Sequence, residues 1–462
     1  MFYENNKVSE LNIAYIGGGS KGWAWSFMTD LSIDDQISGT IRLYDIDQEA
    51  ARRNELIGNS LLEDPDRTGK WHYVTSPSLK EALTGADFVV ISILPGTFEE
   101  MRSDVHAPEK YGIYQSVGDT TGPGGLLRAL RTIPMFVEIA EAIKEFSPDA
   151  WVINYTNPMS LCVKTLYHVF PGIKAFGCCH EVFGTQKLLS DMCTELLGEE
   201  NIERSEIHVN VLGINHFTWF DRASYKGYDL FPLYRKFVDQ YYNDGYSKKD
   251  ENWMNSPFAC NQRVKFDLFR NYGLIAAAGD RHLAEFMPPV YLKNPEVVAS
   301  WGFSLTSVDY RIEDLHKRME KSDRYLKKEL KLNTKPSGEE GILLMKSLLG
   351  LYRTVSNVNI PNSGQIANLP LGAIVETNAL FERDHISPVF AGEIPAPVLE
   401  LVLPHSQNHD RILTAALTCD RKLALEAFCK DPLVTLTEKE ALPLFNEMLE
   451  NTRKYLPGQW FK

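Results

Sequence analysis

The chain lacks the features of membrane, secreted and nucleic-acid-binding proteins. None of its apolar runs approaches membrane-spanning length, and its first residues do not form a basic segment followed by an apolar core. Seven cysteines, an odd number with two adjacent at Cys178 and Cys179, are unlike a disulfide framework. A net charge of −13 disfavours nucleic acid and anionic membranes as partners. We therefore expect a cytoplasmic protein with no nucleic-acid or membrane partner.

The chain also has no internal repeat and no low-complexity tract that would indicate a solenoid or a disordered region. Its 462 residues exceed the usual size of a single core, and 44% of them are hydrophobic. We expect two domains, with a change of character near residue 200 that predicts the boundaries 1–200 and 201–462.

The clearest motif is a glycine cluster that follows an apolar run at residues 12–16. Gly17, Gly19 and Gly22 match the spacing G-x-G-x-x-G of a dinucleotide-binding unit. In such a unit the first glycine permits a tight turn and the second lets the backbone approach a pyrophosphate. The third lets a helix pack closely, with its N-terminus facing the phosphates. The motif predicts a Rossmann fold.

An acidic residue lies where the ribose of a dinucleotide needs an acceptor. Asp45 ends the next apolar strand, about 20 residues after the glycine cluster. An acid at this position accepts a hydrogen bond from the ribose 2′-hydroxyl and favours NAD over NADP. The predicted cofactor-binding residues are Gly17, Gly19, Ser20, Gly22 and Asp45.

Strand and helix patterns alternate through the first half, which predicts a parallel sheet with helices on both faces. Strands are predicted at 71–75, 88–93, 151–154, 173–178, 206–213 and 217–220. Helices are predicted at 23–31, 48–62, 127–143, 257–269, 312–332 and 338–349, and over much of the C-terminus. Residues 96–125 are predicted to form a long loop, which at this edge of a parallel sheet is typical of a ligand-binding segment.

Reactive side chains follow two of these strands. Cys179 and His180 come directly after the strand at 173–178, and His216 lies in the predicted turn after residue 213. Cys179 with His180 would suggest a nucleophile and its base, but adjacent residues on a strand point to opposite faces. Cys179 and His216 as metal ligands fit better, and thiolate with imidazole usually favours zinc.

The order of several short segments resembles glycoside hydrolase family 4. These segments are Ile-Gly-Gly-Gly-Ser (16–20), Tyr-Asp-Ile-Asp (44–47), Asn-Pro (157–158), Cys-His-Glu-Val (179–182), Gly-Ile-Asn-His (213–216) and Asn-Ile-Pro-Asn-Ser-Gly (359–364). The resemblance extends over nearly the whole chain. It implies a Rossmann-type doubly wound sheet followed by a second α/β (α+β) catalytic domain, an architecture shared with lactate and malate dehydrogenases.

The resemblance also implies cofactors and a mechanism. It implies a tightly held NAD⁺ and a divalent metal, usually manganese, bound by Cys179 and His216. Ligand softness alone would not select manganese for a thiolate. In this family NAD⁺ takes hydride from C3 of the sugar, which acidifies the C2 proton. Elimination at C1, addition of water and return of the hydride then complete hydrolysis without net redox change.

Roles for individual residues follow from the motif match. Asn157 would bind the sugar hydroxyls, and His180 would be the acid at the leaving group. Asp280 is the predicted base, with Tyr272 and His282 as rivals in the same stretch.

The substrate follows from a tetrapeptide. Cys-His-Glu-Val (179–182) resembles the subgroup that acts on α-galacturonides, although Glu181 itself carries the wrong charge to bind a uronate. Candidate cations for that carboxylate are Lys21, Arg128, Arg131 and Arg263, among which the sequence makes no choice.

We therefore expect an NAD⁺- and metal-dependent α-galacturonidase that acts on small oligosaccharides or glycosides, as a homodimer or homotetramer. The alternatives are an α-galactosidase or α-glucosidase of the same family, an NAD-dependent 2-hydroxy acid dehydrogenase, and a non-catalytic NAD-sensing protein that kept the fold.

Overall fold

A computed structural model describes residues 1–248, 254 and 258–462. Among these residues the strands, in chain order, are β1 (Phe2–Glu4), β2 (Lys7–Ile16), β3 (Ile37–Tyr44), β4 (Lys70–Thr75), β5 (Phe88–Ile91), β6 (Trp151–Asn154), β7 (Lys174–Gly177), β8 (Ile207–Ile214), β9 (Phe217–Tyr225), β10 (Tyr228–Asp229), β11 (Ile275–Ala276), β12 (Thr354–Pro361), β13 (Ile374–Glu382) and β14 (His385–Pro388).

The helices of the same residues alternate with these strands in the first half and dominate the end of the chain. They are α1 (Trp23–Ile33), α2 (Gln48–Ser60), α3 (Leu79–Leu83), α4 (Phe98–His106), α5 (Gly122–Phe146), α6 (Met159–Val169), α7 (Glu181–Leu197), α8 (Phe231–Tyr241), α9 (Arg263–Tyr272), α10 (Asp280–Glu285), α11 (Pro295–Ser300), α12 (Val308–Leu326), α13 (Gly341–Leu348), α14 (Ala396–Thr418), α15 (Arg421–Cys429) and α16 (Glu438–Asn451). None of them is both long and apolar enough to cross a membrane.

The first half forms the predicted Rossmann sheet. Strands β2 to β7 are parallel and lie in the order β4-β3-β2-β5-β6-β7, so the chain reverses direction across the sheet between β2 and β5. The central strand β5 is buried along its whole length, as a strand covered by helices on both faces must be. The predicted fold class is therefore correct, and ligands are expected beyond the carboxyl ends of these strands.

The sheet does not end with the first half of the chain. Strand β12 pairs antiparallel with β7 at Asn359 and Gly177, and β13 and β14 extend the sheet further. Sequence analysis predicted no strands here. The expected boundary at residue 200 therefore marks a change along the chain, while one sheet contains strands from both sides of it.

A second, antiparallel sheet positions the metal-ligand candidate of the second half. Strands β8 and β9 form a hairpin whose two-residue turn is Asn215 and His216. His216 has φ 64°, a left-handed conformation that this tight turn requires. The turn lies at the end of β8, so His216 projects from the rim of a buried sheet.

Most predicted elements occur within a few residues of their predicted bounds, and one prediction was wrong. Residues 96–125 are not one long loop, because helix α4 begins at Phe98, where Thr97 and Glu100 form a capping box. The prediction overlooked this start signal. A shorter loop of residues 112–121 remains before α5. The predicted helix at 257–269 begins at Arg263, and Pro257 lies outside the described residues.

Candidate active site

The glycine loop has the shape that dinucleotide binding requires. Gly17 has φ 91°, and a Cβ there would lie 2.0 Å from the carbonyl oxygen of Ser92 on the neighbouring strand connection. No larger residue fits this position. Helix α1 begins after Gly22 and has no side-chain cap, so its first N–H groups are available to a phosphate. The loop therefore fits a dinucleotide pyrophosphate.

Asp45 is held at the position expected for a ribose ligand. One carboxylate oxygen accepts from Gly19 N–H and the other from Asp47 N–H, each at 2.9 Å. Each oxygen keeps a second lone pair for a ribose hydroxyl. A Cβ on Gly19 would lie 2.6 Å from Ala50 Cβ and 2.9 Å from this carboxylate, so both neighbours require a glycine here.

Two further side chains fix the loop, and sequence analysis identified neither. Asn54 donates to the carbonyl oxygens of Gly18 (2.8 Å) and Ser20 (2.9 Å). Arg318, from α12 in the second half, donates to Lys21 O at 3.2 Å. No local signal in the sequence could have shown these contacts, because both residues come from distant elements.

Three side chains converge on one point beyond the sheet. Asp119, His216 and His282 each place one ligand atom so that all three atoms lie within 4.8 Å of one another. The His216 and His282 rings lie 3.8 Å apart, centroid to centroid. Burial lowers the pKa of His216 to about 3, and it lowers the pKa of His282 as well. Both imidazoles are therefore neutral, and each has a ring-nitrogen lone pair that can bind a metal.

The tautomer of His216 follows from a chain of hydrogen bonds. The Thr120 hydroxyl lies 2.8 Å from Asp119 Oδ1 and 3.0 Å from His216 Nδ1. Burial alone would raise the pKa of Asp119, but Arg128, His282 and Arg311 hold it well below its usual range. The ionised carboxylate can only accept, so the Thr120 hydroxyl donates its hydrogen bond to Asp119. The hydroxyl oxygen then accepts a hydrogen bond from His216 Nδ1–H. The Nε2 lone pair of His216 is then free for a metal.

Cys179 lies in the same region but outside this three-residue group. It is 9% exposed, packs with Met159, Val163 and Ile374, and follows β7 as predicted. Burial, with Glu376 and Glu181 nearby, raises the pKa of its thiol well above the usual value. The thiol is therefore protonated on its own, and becomes a thiolate ligand only when a cation displaces the proton.

His180 differs from the other two histidines because it is charged. Its Nδ1 lies 2.9 Å from Glu339 Oε1, and its side chain is about half exposed (52%). The Glu339 carboxylate raises the pKa of His180 to about 9. The imidazolium therefore carries a proton at neutral pH, as a general acid must.

Glu181 faces His282. Its Oε2 accepts from Gly279 N–H at 2.6 Å, and its Oε1 lies 3.7 Å from His282 Nε2. The other ring nitrogen, His282 Nδ1, is buried and has no hydrogen-bond partner among the described residues. A carboxylate beside Nε2 favours the proton there, which leaves the lone pair on Nδ1. Such an imidazole can act as a base.

The two other base candidates lie elsewhere. Asp280 is fully buried, and its carboxylate accepts from the N–H groups of Val264 and Lys265, both at 3.2 Å, at the first turn of α9. Tyr272 lies at the last residue of the same helix and packs edge-on against Trp219. The structure therefore brings His282 to the Asp119–His216 group, whereas the Asp280 carboxylate lies against the start of α9 and the Tyr272 ring lies against Trp219.

Asn157 presents an unused acceptor. Its backbone carbonyl accepts from Arg128 Nε at 3.0 Å, while its side-chain Oδ1 is buried without a partner among the described residues. Asn215 Oδ1 is likewise buried and has no hydrogen-bond partner among the described residues. Both oxygens are therefore available to accept from a polar ligand.

Asp119 is the member of the Asp119–His216–His282 group that sequence analysis did not single out. It lies in the loop of residues 112–121, where the Glu285 carboxylate accepts from the N–H groups of Val117 and Gly118 at 2.7 and 2.9 Å. The one available signal was the predicted functional role of residues 96–125, which contain it. Nothing in the local sequence distinguishes Asp119 from the other acids of that segment.

Comparison with known proteins agrees with this architecture. The profile described as "Family 4 glycosyl hydrolase" matches residues 12–195, and "Family 4 glycosyl hydrolase C-terminal domain" matches residues 211–434. The chain is 62% identical to the alpha-galacturonidase of Lachnoclostridium phytofermentans over 100% of both chains.

Two solved structures share the fold of this chain. The crystal structure of lplD from Bacillus subtilis has a TM-score of 0.92 and 52% identity, and covers 96% of this chain and 100% of that one. The 6-phospho-beta glucosidase of Thermotoga maritima, solved with manganese, NAD+ and glucose-6-phosphate, shares the fold at 21% identity, with a TM-score of 0.78 over 97% of this chain and 99% of that one. The chain belongs to glycosyl hydrolase family 4.

Proposed function

We propose that this enzyme hydrolyses α-galacturonides with NAD⁺ and a divalent metal, the family usage favouring Mn²⁺. The observation that carries the proposal is the 62% identity, over 100% of both chains, to a protein named alpha-galacturonidase. The glycine loop and the Asp119–His216–His282 group support it, because they supply a dinucleotide cradle, a neutral nitrogen ligand in His216 and a neutral imidazole base in His282.

The residues divide into two binding sets. Gly17, Gly19, Ser20, Gly22 and Asp45 would hold NAD⁺, whereas Cys179 and His216 would hold the metal. When bound, NAD⁺ accepts and returns a hydride at C3 of the sugar, and the metal polarises the oxygens on C2 and C3. The lone pair left on His216 Nε2 by Thr120 supports the metal assignment.

Proton transfer then falls to two histidines. We assign the base at C2 to His282, whose buried Nδ1 lacks a partner and whose other nitrogen faces Glu181. His180, kept protonated by Glu339, would donate to the leaving oxygen at C1. Asn157 Oδ1 would accept from a sugar hydroxyl. Asp280 stays a rival base, with a pKa that burial raises to about 6, although its oxygens already accept two backbone N–H groups.

The test is hydrolysis of p-nitrophenyl α-galacturonide beside the α-galactoside and the α-glucoside, with NAD⁺, Mn²⁺ and a thiol reductant present and then omitted singly. The proposal expects release from the galacturonide alone, lost without NAD⁺ or metal. Cleavage of a neutral sugar would keep the mechanism and reject the substrate. Stoichiometric NADH at 340 nm without nitrophenol release would indicate a dehydrogenase instead.

We also propose that the enzyme acts in the cytoplasm as a homodimer or homotetramer. All seven cysteines are free thiols, which suits a reducing compartment. Sedimentation analysis of the purified enzyme tests the oligomeric state directly.

A further inference from the structure

The four cations that the sequence offered for a uronate carboxylate differ in how their donors are used. Arg131 is fully buried and pairs through both terminal nitrogens with the Asp104 carboxylate. Arg263 donates to the backbone carbonyls of Tyr242 and Ser300. Arg131 and Arg263 are therefore already occupied. Lys21 lies in the glycine loop, which is proposed to bind the cofactor.

Arg128 has an unused donor in a buried position. It is 5% exposed, and its Nε donates to the Asn157 carbonyl oxygen at 3.0 Å. Its Nη1 is buried and has no hydrogen-bond partner among the described residues. A buried guanidinium donor without a partner is costly to the protein, so its presence indicates an anion that binds there.

Arg311 of α12 has the same property. Its Nη2 donates to Val117 O at 3.2 Å, in the loop that carries Asp119, while its Nε is buried without a partner among the described residues. The charges of Arg128 and Arg311 both act on Asp119 and repel each other. Two guanidinium groups thus both face the carboxylate of Asp119, and each has a donor without a partner among the described residues.

We propose that Arg128 and Arg311 together bind the carboxylate of the galacturonosyl residue. This inference rests on the proposed function and identifies the residues that would set its substrate. Arg128 contacts Asn157, whose Oδ1 is the free acceptor assigned to a sugar hydroxyl, so carboxylate and hydroxyl recognition lie side by side. A planar guanidinium matches a carboxylate better than an ammonium does.

The same geometry explains why a neutral sugar would be rejected. With a galactoside in the site, the donors on Arg128 and Arg311 would stay buried and unpaired. A site built to pair with a substrate group discriminates strongly against the analogue that lacks the group. Glu181 has no part in this recognition, because its carboxylate faces Gly279 N–H and His282.

The experiment compares R128Q and R311Q with R324Q, a matched control at an exposed position of α12. With NAD⁺ and Mn²⁺ present, calorimetry measures binding of D-galacturonate, its methyl ester and D-galactose to each protein. We expect the wild type and R324Q to prefer the free acid over the ester. We expect R128Q and R311Q each to lose about 10- to 100-fold in affinity for the acid, with binding of the ester little changed.

Folding is checked by the thermal midpoint and by NAD⁺ titration followed through tryptophan fluorescence, both of which should match R324Q. If R128Q does not fold, R128K keeps the charge without the planar fork and R311Q tests the second arginine alone. The inference is overturned if the affinities for the acid and for the ester fall equally. It is also overturned if R311Q and R128K bind the acid as tightly as R324Q does. If the wild type itself does not cleave the galacturonide, the proposed function has failed first.

Discussion

Three histidines with one intrinsic chemistry are assigned different tasks by their surroundings. Burial lowers the pKa of His216 to about 3 and also lowers that of His282, whereas Glu339 raises the pKa of His180 to about 9. Groups whose pKa values are driven apart within one site are the usual acids and bases of an enzyme. These environments, with the unpartnered Nδ1 of His282 beside Glu181, are the basis on which we propose His282 as base and His180 as acid.

The first prediction concerns the hydrogen bond that orients His216. T120V removes the hydroxyl between Asp119 and His216 Nδ1 while keeping the side-chain shape. We expect Mn²⁺ affinity to fall about 10- to 100-fold, because outer partners of a ligating histidine contribute this much. Electron paramagnetic resonance of free Mn²⁺ measures the affinity, and T120S should restore it. Equal affinity in T120V would show that His216 is oriented by another group or is not a ligand.

The second prediction concerns the pH dependence of catalysis. His180 is active when protonated, so kcat/KM should fall as pH rises through its pKa of about 9. E339Q removes the carboxylate that raises this pKa, and the basic limb should move toward the ordinary histidine value of 6.5. The measurement is a kcat/KM profile from pH 5 to 10 on a galacturonide whose leaving group is a sugar or an alcohol, because such a leaving group requires the acid.

A useful comparison for E339Q is H180Q, which should lose the basic limb altogether along with most of the activity toward poor leaving groups. Substrates with a p-nitrophenolate leaving group need little acid assistance, so they should retain more activity. A basic limb unchanged in E339Q would mean that another group donates the proton.

At the scale of the element, Asp280 tests whether a conspicuous carboxylate caps a helix or performs chemistry. Its oxygens accept from Val264 and Lys265 N–H at the start of α9. We expect D280A to lower the free energy of unfolding by about 1–3 kcal/mol, the cost of leaving such donors unsatisfied. D280N keeps an acceptor and should recover part of this loss, measured by urea denaturation.

The pH dependence of stability separates the same two roles. Burial raises the pKa of Asp280 from 3.8 to about 6, so the folded state binds the proton more tightly than the unfolded state. The contribution of this group to stability should therefore fall as pH rises from about 4 to 6, and D280N should remove that part of the slope. A D280N enzyme of full stability with no activity would instead support Asp280 as the base.

The elements also show what local sequence can and cannot predict. Strand β6 and helix α1 carry their own signals, an apolar run and an apolar face, and both were predicted within two residues. The Thr97 and Glu100 capping box that starts α4 was equally local but was overlooked. The pairing of β12 with β7 depends on a contact between residues almost two hundred positions apart, which no window of sequence contains.

The residues of the candidate site also fall into those that local sequence indicates and those that only the fold brings together. The glycine loop, Asp45, Cys179 and His216 were predicted because each follows a recognisable strand end. Asp119 and the orientation of Glu181 toward His282 were not, because they depend on how the 112–121 loop and α10 meet in space. The choice among four candidate cations likewise required knowing which donors the fold had already used.

At the scale of the whole molecule, the two halves depend on each other for a finished sheet and a finished cofactor loop. Strand β12 covers the edge of β7, and α13 contributes Ile342, Leu344 and Met345 to the core that includes Phe176. Arg318 reaches from α12 to the carbonyl oxygen of Lys21 in the glycine loop. The first half alone therefore has the cofactor motif without the surfaces that stabilise it.

This dependence yields the last prediction. A fragment of residues 1–200 would expose the β7 edge and the apolar face that α13 covers, and unpaired edges promote association. We expect it to aggregate and to show no cooperative thermal transition, as judged by sedimentation and circular dichroism. Co-expression with residues 201–462 should restore a soluble complex that binds NAD⁺, because the second fragment supplies β12, α13 and Arg318. A monomeric 1–200 fragment that melts cooperatively and binds NAD⁺ as tightly as the full chain would mean that the boundary at residue 200 separates independent domains. The shared sheet would then be only a contact between them.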